Sequence, residues 1–382
     1  MDDKTDRGRA VLILGAGAPH SPLMAGALCA IWEAGKTFDT IWTAGAGGLI
    51  GMLFAAPKNR NPAAALRSVV DAGVDDAIYR FFPVDFKVFY KPGPFTQLFR
   101  YWARMCHLPE PGWPSHPGWP GHSGHPGHPG WPGPPWPPFS HAWRRLYNDW
   151  IDFWFSALTP TTLNYFSEGM CDPLPFLEEM VDCDALKHFP GDFYLNAYNI
   201  TADRVDQFDK DELTPLHVRA GLACPFIYPP VTIGTQLYYE GADRQPIPST
   251  HFTKIKNFGD TGIVVIMDIL SSLEPALVRR PRNLWDAYNI SIVTPIVSLA
   301  TRDVERFKNL LESPDIRNIA GKLHQVSLRF TIPVADAPYL LEWSHSNLRR
   351  LWDIGYETGE RFLERYADDL PPRLPIPRQP IP

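Results

Sequence analysis

Apolar residues in the first part of the chain fall in short runs separated by glycine-rich turns, and that alternation defines the elements. Val11–Leu14 is a short apolar run closed by Gly15, which reads as a buried strand. The turn Gly15-Ala16-Gly17-Ala18-Pro19-His20 follows, and Leu23–Ala34 then reads as a helix stopped by Gly35. Phe38–Thr43 is a second strand, Ala44–Gly48 a tight turn of small residues, and Leu49–Ala56 opens a second helix. Two strand–turn–helix units in the first 56 residues predict an α/β fold with a mainly parallel sheet.

The rest of the chain continues the mixture. Residues 62–104 read as mostly helical with breaks at Pro83, Pro92 and Pro94, and residues 140–190 return to an aromatic helical pattern. Strands are expected at Phe193–Ile200, Gln236–Tyr239, Gly262–Leu270 and Gln325–Ile332. Helices are expected at Leu216–Ala223, Ile290–Leu311 and Asn347–Tyr366, before the irregular tail PPRLPIPRQPIP. The run Trp143, Tyr147, Trp150, Phe153, Trp154 and Phe155 suits a helix packed into the core or the insert, or an apolar cap over a lipid site. Leu284-Trp285 and Leu351-Trp352 read as core positions.

Composition changes this picture in one place. Much of the excess of proline (41) and tryptophan (13) sits in residues 107–138, where Trp-Pro pairs alternate with His-Pro-Gly units. Such a stretch has no helical or strand period and reads as an inserted, polyproline-like segment. Its histidines, His107, His116, His122, His125 and His128, lack a fixed tetrahedral spacing, so no metal site is expected. Its tryptophans would suit a membrane interface or a partner domain.

The net charge of −6, with both signs mixed along the chain, excludes a basic nucleic-acid footprint. Five scattered cysteines without CxxC spacing read as free thiols in a reducing compartment. No run of 18 apolar residues is present, and the apolar stretch after MDDKTDRGRA is too short for a secretory signal, so a cytoplasmic protein is expected.

Three segments, in order, resemble the patatin-like phospholipase family over roughly residues 10–310. Gly15-Ala16-Gly17-Ala18-Pro19-His20 is similar to the family's Gly-Gly-Gly-x-Arg-Gly loop. Thr43-Ala44-Gly45-Ala46-Gly47-Gly48-Leu49 is similar to its Gly-x-Ser-x-Gly-Ala-Leu elbow. Val218-Arg219-Ala220-Gly221-Leu222-Ala223-Cys224-Pro225, through Pro229-Pro230-Val231 to Tyr239-Glu240-Gly241-Ala242, is similar to the stretch that leads into its Asp-Gly-Gly/Ala motif, and the strand end Asn196-Ala197-Tyr198-Asn199 also fits.

The resemblance implies a three-layer α/β/α patatin-like fold with a mainly parallel central sheet. It implies a patatin-like domain over residues 1–310, with 105–140 as an insertion, and a helical extension with a proline-rich tail over 311–382. It also implies acyl ester hydrolysis by a Ser–Asp dyad, with an oxyanion held by backbone amides. Here the nucleophile position is Gly45, which has no side chain to attack a carbonyl, and the acid position is Glu240. Loss of a nucleophile costs on the order of a million-fold in turnover. A carboxylate displaced by one methylene costs roughly 100-fold. The expectation is therefore a family member without the usual chemistry, which binds a lipid or acyl ligand or acts as a partner protein, with no cofactor.

Gly15, Ala16, Gly17 and Ala46 would supply the amide cradle, although Pro19 offers no N–H. The alternative is an active hydrolase with a displaced nucleophile, Ser21 or Thr43, and His20 as base. Against it, Ser21 suits a helix cap, Thr43 a local strand-end bond, and Asp243 a solvated turn rather than a substitute acid.

Overall fold

The computed structural model describes residues 8–18, 20–94, 141–173, 180–248, 261–269, 279–312, 324–333 and 342–373, with Leu98, Met105 and Leu277 as single positions. The strands are β1 (Arg9–Leu14), β2 (Thr40–Ala44), β3 (Asp192–Asn199), β4 (Arg204–Asp209), β5 (Val231–Ile233), β6 (Gln236–Glu240), β7 (Thr261–Asp268) and β8 (His324–Arg329). They form one eight-stranded sheet in the order β5-β6-β3-β2-β1-β7-β8, with β4 also paired to β3. The β1–β2, β1–β7, β2–β3 and β7–β8 pairs are parallel, and β3–β4, β3–β6 and β5–β6 are antiparallel.

The described helices are α1 (Ser21–Glu33), α2 (Ala46–Ala55), α3 (Pro62–Ser68), α4 (Asp76–Phe81), α5 (His141–Leu158), α6 (Cys183–Lys187), α7 (Pro215–Leu222), α8 (Leu284–Leu311) and α9 (His345–Tyr366). The sheet grows one way from β1 to β2 to β3 and the other way from β7 to β8. Right-handed crossovers then set α1 and α2 on one face and α8 on the other, giving three layers. β1 is buried from Ala10 to Leu14, as its apolar run requires of a central parallel strand. Val297, Ala300, Val304 and Phe307 form the buried stripe of α8 at helical spacing.

α9 runs along α1 at backbone contact. A β-carbon on Gly26 would run into the Trp352 carbonyl, and one on Gly355 into the Leu23 carbonyl, so only glycine permits this approach. Trp352 fills the adjoining core and donates its indole N–H to the Leu66 carbonyl at 3.1 Å.

Several sequence expectations need correction. Only Pro62–Ser68, a 3₁₀ turn at Val69–Ala72 and Asp76–Phe81 are helical between 62 and 93, because Pro83 and Pro92 open a long irregular connection. β4 and β5 were not anticipated. β4 is a polar, charge-rich strand, RVDQFD, and β5 has three residues, so neither carries a clear alternation. Leu284 is exposed rather than core, since it only opens α8. In α5, Phe153 is buried against Phe82 and Phe86, but Trp143, Tyr147, Trp150 and Trp154 are not core residues, and packing against the insertion falls outside the described residues. Apart from Met105, the insertion and its histidines lie outside the described residues, as does the tail beyond Arg373.

Candidate functional site

β3 brings the two halves of the site together. One edge of β3 carries β4 from Tyr194 to Asn199. The opposite edge carries β2 up to the Ala44–Asn196 pair and then β6 from the Ala197–Glu240 pair. The last residues of β2 and β6 therefore sit on adjacent residues of one strand, at the carboxyl ends of the parallel strands where α/β sheets bind ligands.

Chain direction reverses sharply after β2. Gly45 caps α2 with φ 54° and ψ −134°, a conformation open to glycine and strained for other residues. Its carbonyl accepts the Gly48 N–H at 2.8 Å, which tightens the first turn of the helix. A β-carbon at position 45 would lie 3.2 Å from Glu240 Oε1, 3.1 Å from the Ala242 β-carbon and 3.5 Å from that of Ala16. The three sequence segments thus converge on the point where the side chain of residue 45 would begin. Glu240 reaches this point at the N-terminal end of α2, where the helix dipole favours a carboxylate.

The glycine-rich loop is roofed by a segment the sequence did not flag. Pro246 and Ile247 follow the 3₁₀ turn Gly241–Asp243, and the Ala16 N–H donates to the Pro246 carbonyl at 3.0 Å. Ile247 packs against Gly15, and its own N–H reaches Asp303 of α8 at 3.4 Å. Burial pushes the Asp303 carboxyl up to about 6. One of the four amides expected to form a cradle is therefore committed inside the protein. Ala46 opens α2, and Gly17, at φ 145°, accepts the His20 N–H through its carbonyl.

The substitute nucleophiles are placed differently from the main pair. Thr43 is fully buried on β2 and donates its hydroxyl to the Tyr194 carbonyl at 2.9 Å. Ser21 is the first residue of α1 and not its cap; His20, fully buried, holds the cap position, and no side-chain cap bond forms there. Asp243 lies in the 3₁₀ turn after Glu240. Asn196, between the ends of β2 and β6, is fully buried, and neither polar atom of its side chain has a hydrogen-bond partner among the described residues. Sequence placed it only at a strand end; Gly241 packs so closely on it that a β-carbon there would lie 2.8 Å from the Asn196 carbonyl carbon.

On the outer side of the acid strand, the Glu240 N–H donates to the Ala223 carbonyl at 3.0 Å. Ala223 also lines a shallow pocket with Arg219, Leu222, Tyr228 and Pro229. Burial raises the phenol of Tyr228 well above its ordinary range, so it stays neutral, and its hydroxyl donates to the Val88 carbonyl. Among the described residues Cys29, Cys171, Cys183 and Cys224 form no disulfide, and burial pushes Cys29 and Cys171 up to about 12. Such thiols are not nucleophiles near neutral pH. Among the described residues no group of three or more His, Cys, Asp or Glu is placed to hold a metal ion, and no helix is long and apolar enough to cross a membrane.

A family model described as patatin-like phospholipase matches residues 12–252, a span that includes the loop, the elbow and the acid strand. Among solved structures, the crystal structure of VipD from Legionella pneumophila is similar at 11% identity with a TM-score of 0.38, covering 94% of this chain and 67% of that one. No curated protein matches the chain.

Proposed function

Because the chain belongs to the patatin-like phospholipase family, we propose that it is a non-catalytic member that binds a lipid or acyl ligand at the elbow without cleaving it. The observation that carries this reading is the geometry at residue 45. The point 3.2 Å from the Glu240 carboxylate is where a reactive hydroxyl would be attached, and the residue there ends at its α-carbon. The two departures from the family pattern fit each other sterically: the longer acid extends into space that a side chain at 45 would need.

A second feature supports the same reading. Oxyanion stabilisation requires N–H groups aimed at the developing charge, and removal of one such donor costs about 100- to 1000-fold. The Ala16 N–H is spent on Pro246. The Thr43 hydroxyl, bonded inside the sheet, is not presented to a substrate.

The test uses the purified full chain. Organic extraction followed by mass spectrometry is expected to recover a reproducible acyl lipid. Phospholipid vesicles and p-nitrophenyl esters are expected to release no product above buffer. Ester turnover by the wild-type chain that survives further purification overturns the non-catalytic reading. A chain that neither retains nor binds any acyl lipid overturns the ligand reading.

A further inference from the structure

Residues 141–166 expose an unusual amount of aromatic surface. In α5, Leu146, Asp149 and Phe153 face the body, while Trp143, Tyr147, Trp150 and Trp154 recur at helical spacing on the outer side, each 45–66% exposed. The inner face is fixed by a buried ion pair, Lys87 to Asp149 at 2.7 Å, and by the Asp75 N–H donating to Asp149 at 2.7 Å. The helix cannot roll to hide its rings without breaking these contacts.

Just beyond the helix, a second feature repeats the theme. Asn164 builds a tight turn: its side-chain oxygen accepts the Phe166 N–H at 2.8 Å, and its carbonyl accepts the Ser167 N–H at 3.0 Å. The turn holds Tyr165 and Phe166 edge-to-face, 5.5 Å apart, with 96% and 86% of their surfaces open to solvent. A locally braced turn that offers two rings to water serves no packing purpose inside the protein.

We propose that α5 and the Asn164 turn form a surface that lies flat in the interfacial layer of a phospholipid bilayer. Indole and phenol rings suit that layer because each joins an apolar body to a polar tip. Residues 153–167 carry no charged side chain, so this stretch can enter the acyl boundary without burying a charge. The chain that leads into α5 has the same chemistry: residues 106–140 contain Trp113, Trp119, Trp131 and Trp136, Glu110 as their one carboxylate, and no lysine or arginine. A helix of 18 residues is about 27 Å long. With Arg144, Arg145, Asp149 and Asp152 on it, it suits lying on a bilayer rather than crossing one. This surface is separate from the elbow and stands whether or not an ester is cleaved.

The test is co-sedimentation of the full chain with phosphatidylcholine vesicles, and with vesicles that also contain phosphatidylserine, alongside tryptophan emission. The wild-type chain is expected to partition onto both kinds of vesicle with little dependence on sodium chloride and with a blue-shifted emission. The variants Trp143→Ser/Tyr147→Ser and Tyr165→Ser/Phe166→Ser, at the more exposed positions, should melt like wild type and each lower the partition coefficient by about tenfold or more. Four results overturn the proposal. These are no sedimentation with either vesicle, binding that needs phosphatidylserine and vanishes in salt, and folded variants that partition like wild type. The fourth is a dimer in sedimentation velocity that the same substitutions dissolve while vesicles bind nothing, which would assign the surface to a second copy.

Discussion

Replacing Gly45 by serine puts a side chain back at the elbow, and the structure sets what that does to stability. The backbone at φ 54° and ψ −134° lies in a region that costs a non-glycine residue about 1–3 kcal/mol. The new β-carbon would stand 3.1 Å from the Ala242 β-carbon and 3.2 Å from Glu240 Oε1, so both neighbours must yield by a few tenths of an ångström. Together these predict a loss of about 2 kcal/mol, or roughly 2–3 °C in melting temperature for a chain of this size. Gly45→Ala should lose a similar amount, since the strain comes from the β-carbon and not from the hydroxyl. Glu240→Asp withdraws the crowding oxygen, so the double variant Gly45→Ser/Glu240→Asp should be more stable than the sum of the singles by about 0.5–1 kcal/mol. Thermal melts and urea titrations of the four proteins close this cycle. Single variants as stable as wild type, or a strictly additive double, refute the placement of Gly45 against Glu240.

Other consequences follow from buried charge and close packing. Lys87→Met leaves Asp149 and Asp85 in the interior without their cation, and a loss of about 3–5 kcal/mol is expected in urea unfolding. Gly355→Ala forces α9 away from the Leu23 carbonyl of α1; about 3 kcal/mol or an unfolded chain is expected, read by circular dichroism. Burial raises the Asp85 carboxyl from its ordinary 3.8 to about 7. The folded chain thus holds a proton there that the unfolded chain releases, so the contribution of Asp85 to stability falls as pH rises from about 4 to about 7. Asp85→Asn keeps the oxygen that accepts the Lys87 and Val88 N–H groups and removes that penalty. It should stabilise the protein by on the order of 2 kcal/mol at pH 8 and by little near pH 4; an equal effect at both pH values contradicts the shift.

The fold was legible where the chain repeats strand, glycine turn and helix, because β1 and β2 are apolar runs ended by residues that only a turn requires. The pairing of Gly45 with Glu240 was legible only through resemblance, since nothing local in either segment indicates that β3 carries β2 and β6 on one edge. The Pro246 carbonyl over Ala16 was not legible at all, because a backbone acceptor has no sequence signature. Ser21 looked like a helix cap by residue type and by the proline that follows it, yet α1 already begins at Ser21 and His20 holds the cap position. The rings of α5 misled in the opposite sense: an aromatic stripe at helical spacing has the same pattern whether it faces core or solvent, and the buried Lys87–Asp149 pair decides which.

The central claim is that no atom of this chain attacks an acyl carbon, and intact-protein mass after exposure to a fluorophosphonate tests it most directly. The account predicts an unchanged mass for the wild-type chain at concentrations that fully label an active serine hydrolase. A stoichiometric adduct, mapped by peptide sequencing to Ser21, Thr43 or any other hydroxyl, would contradict it.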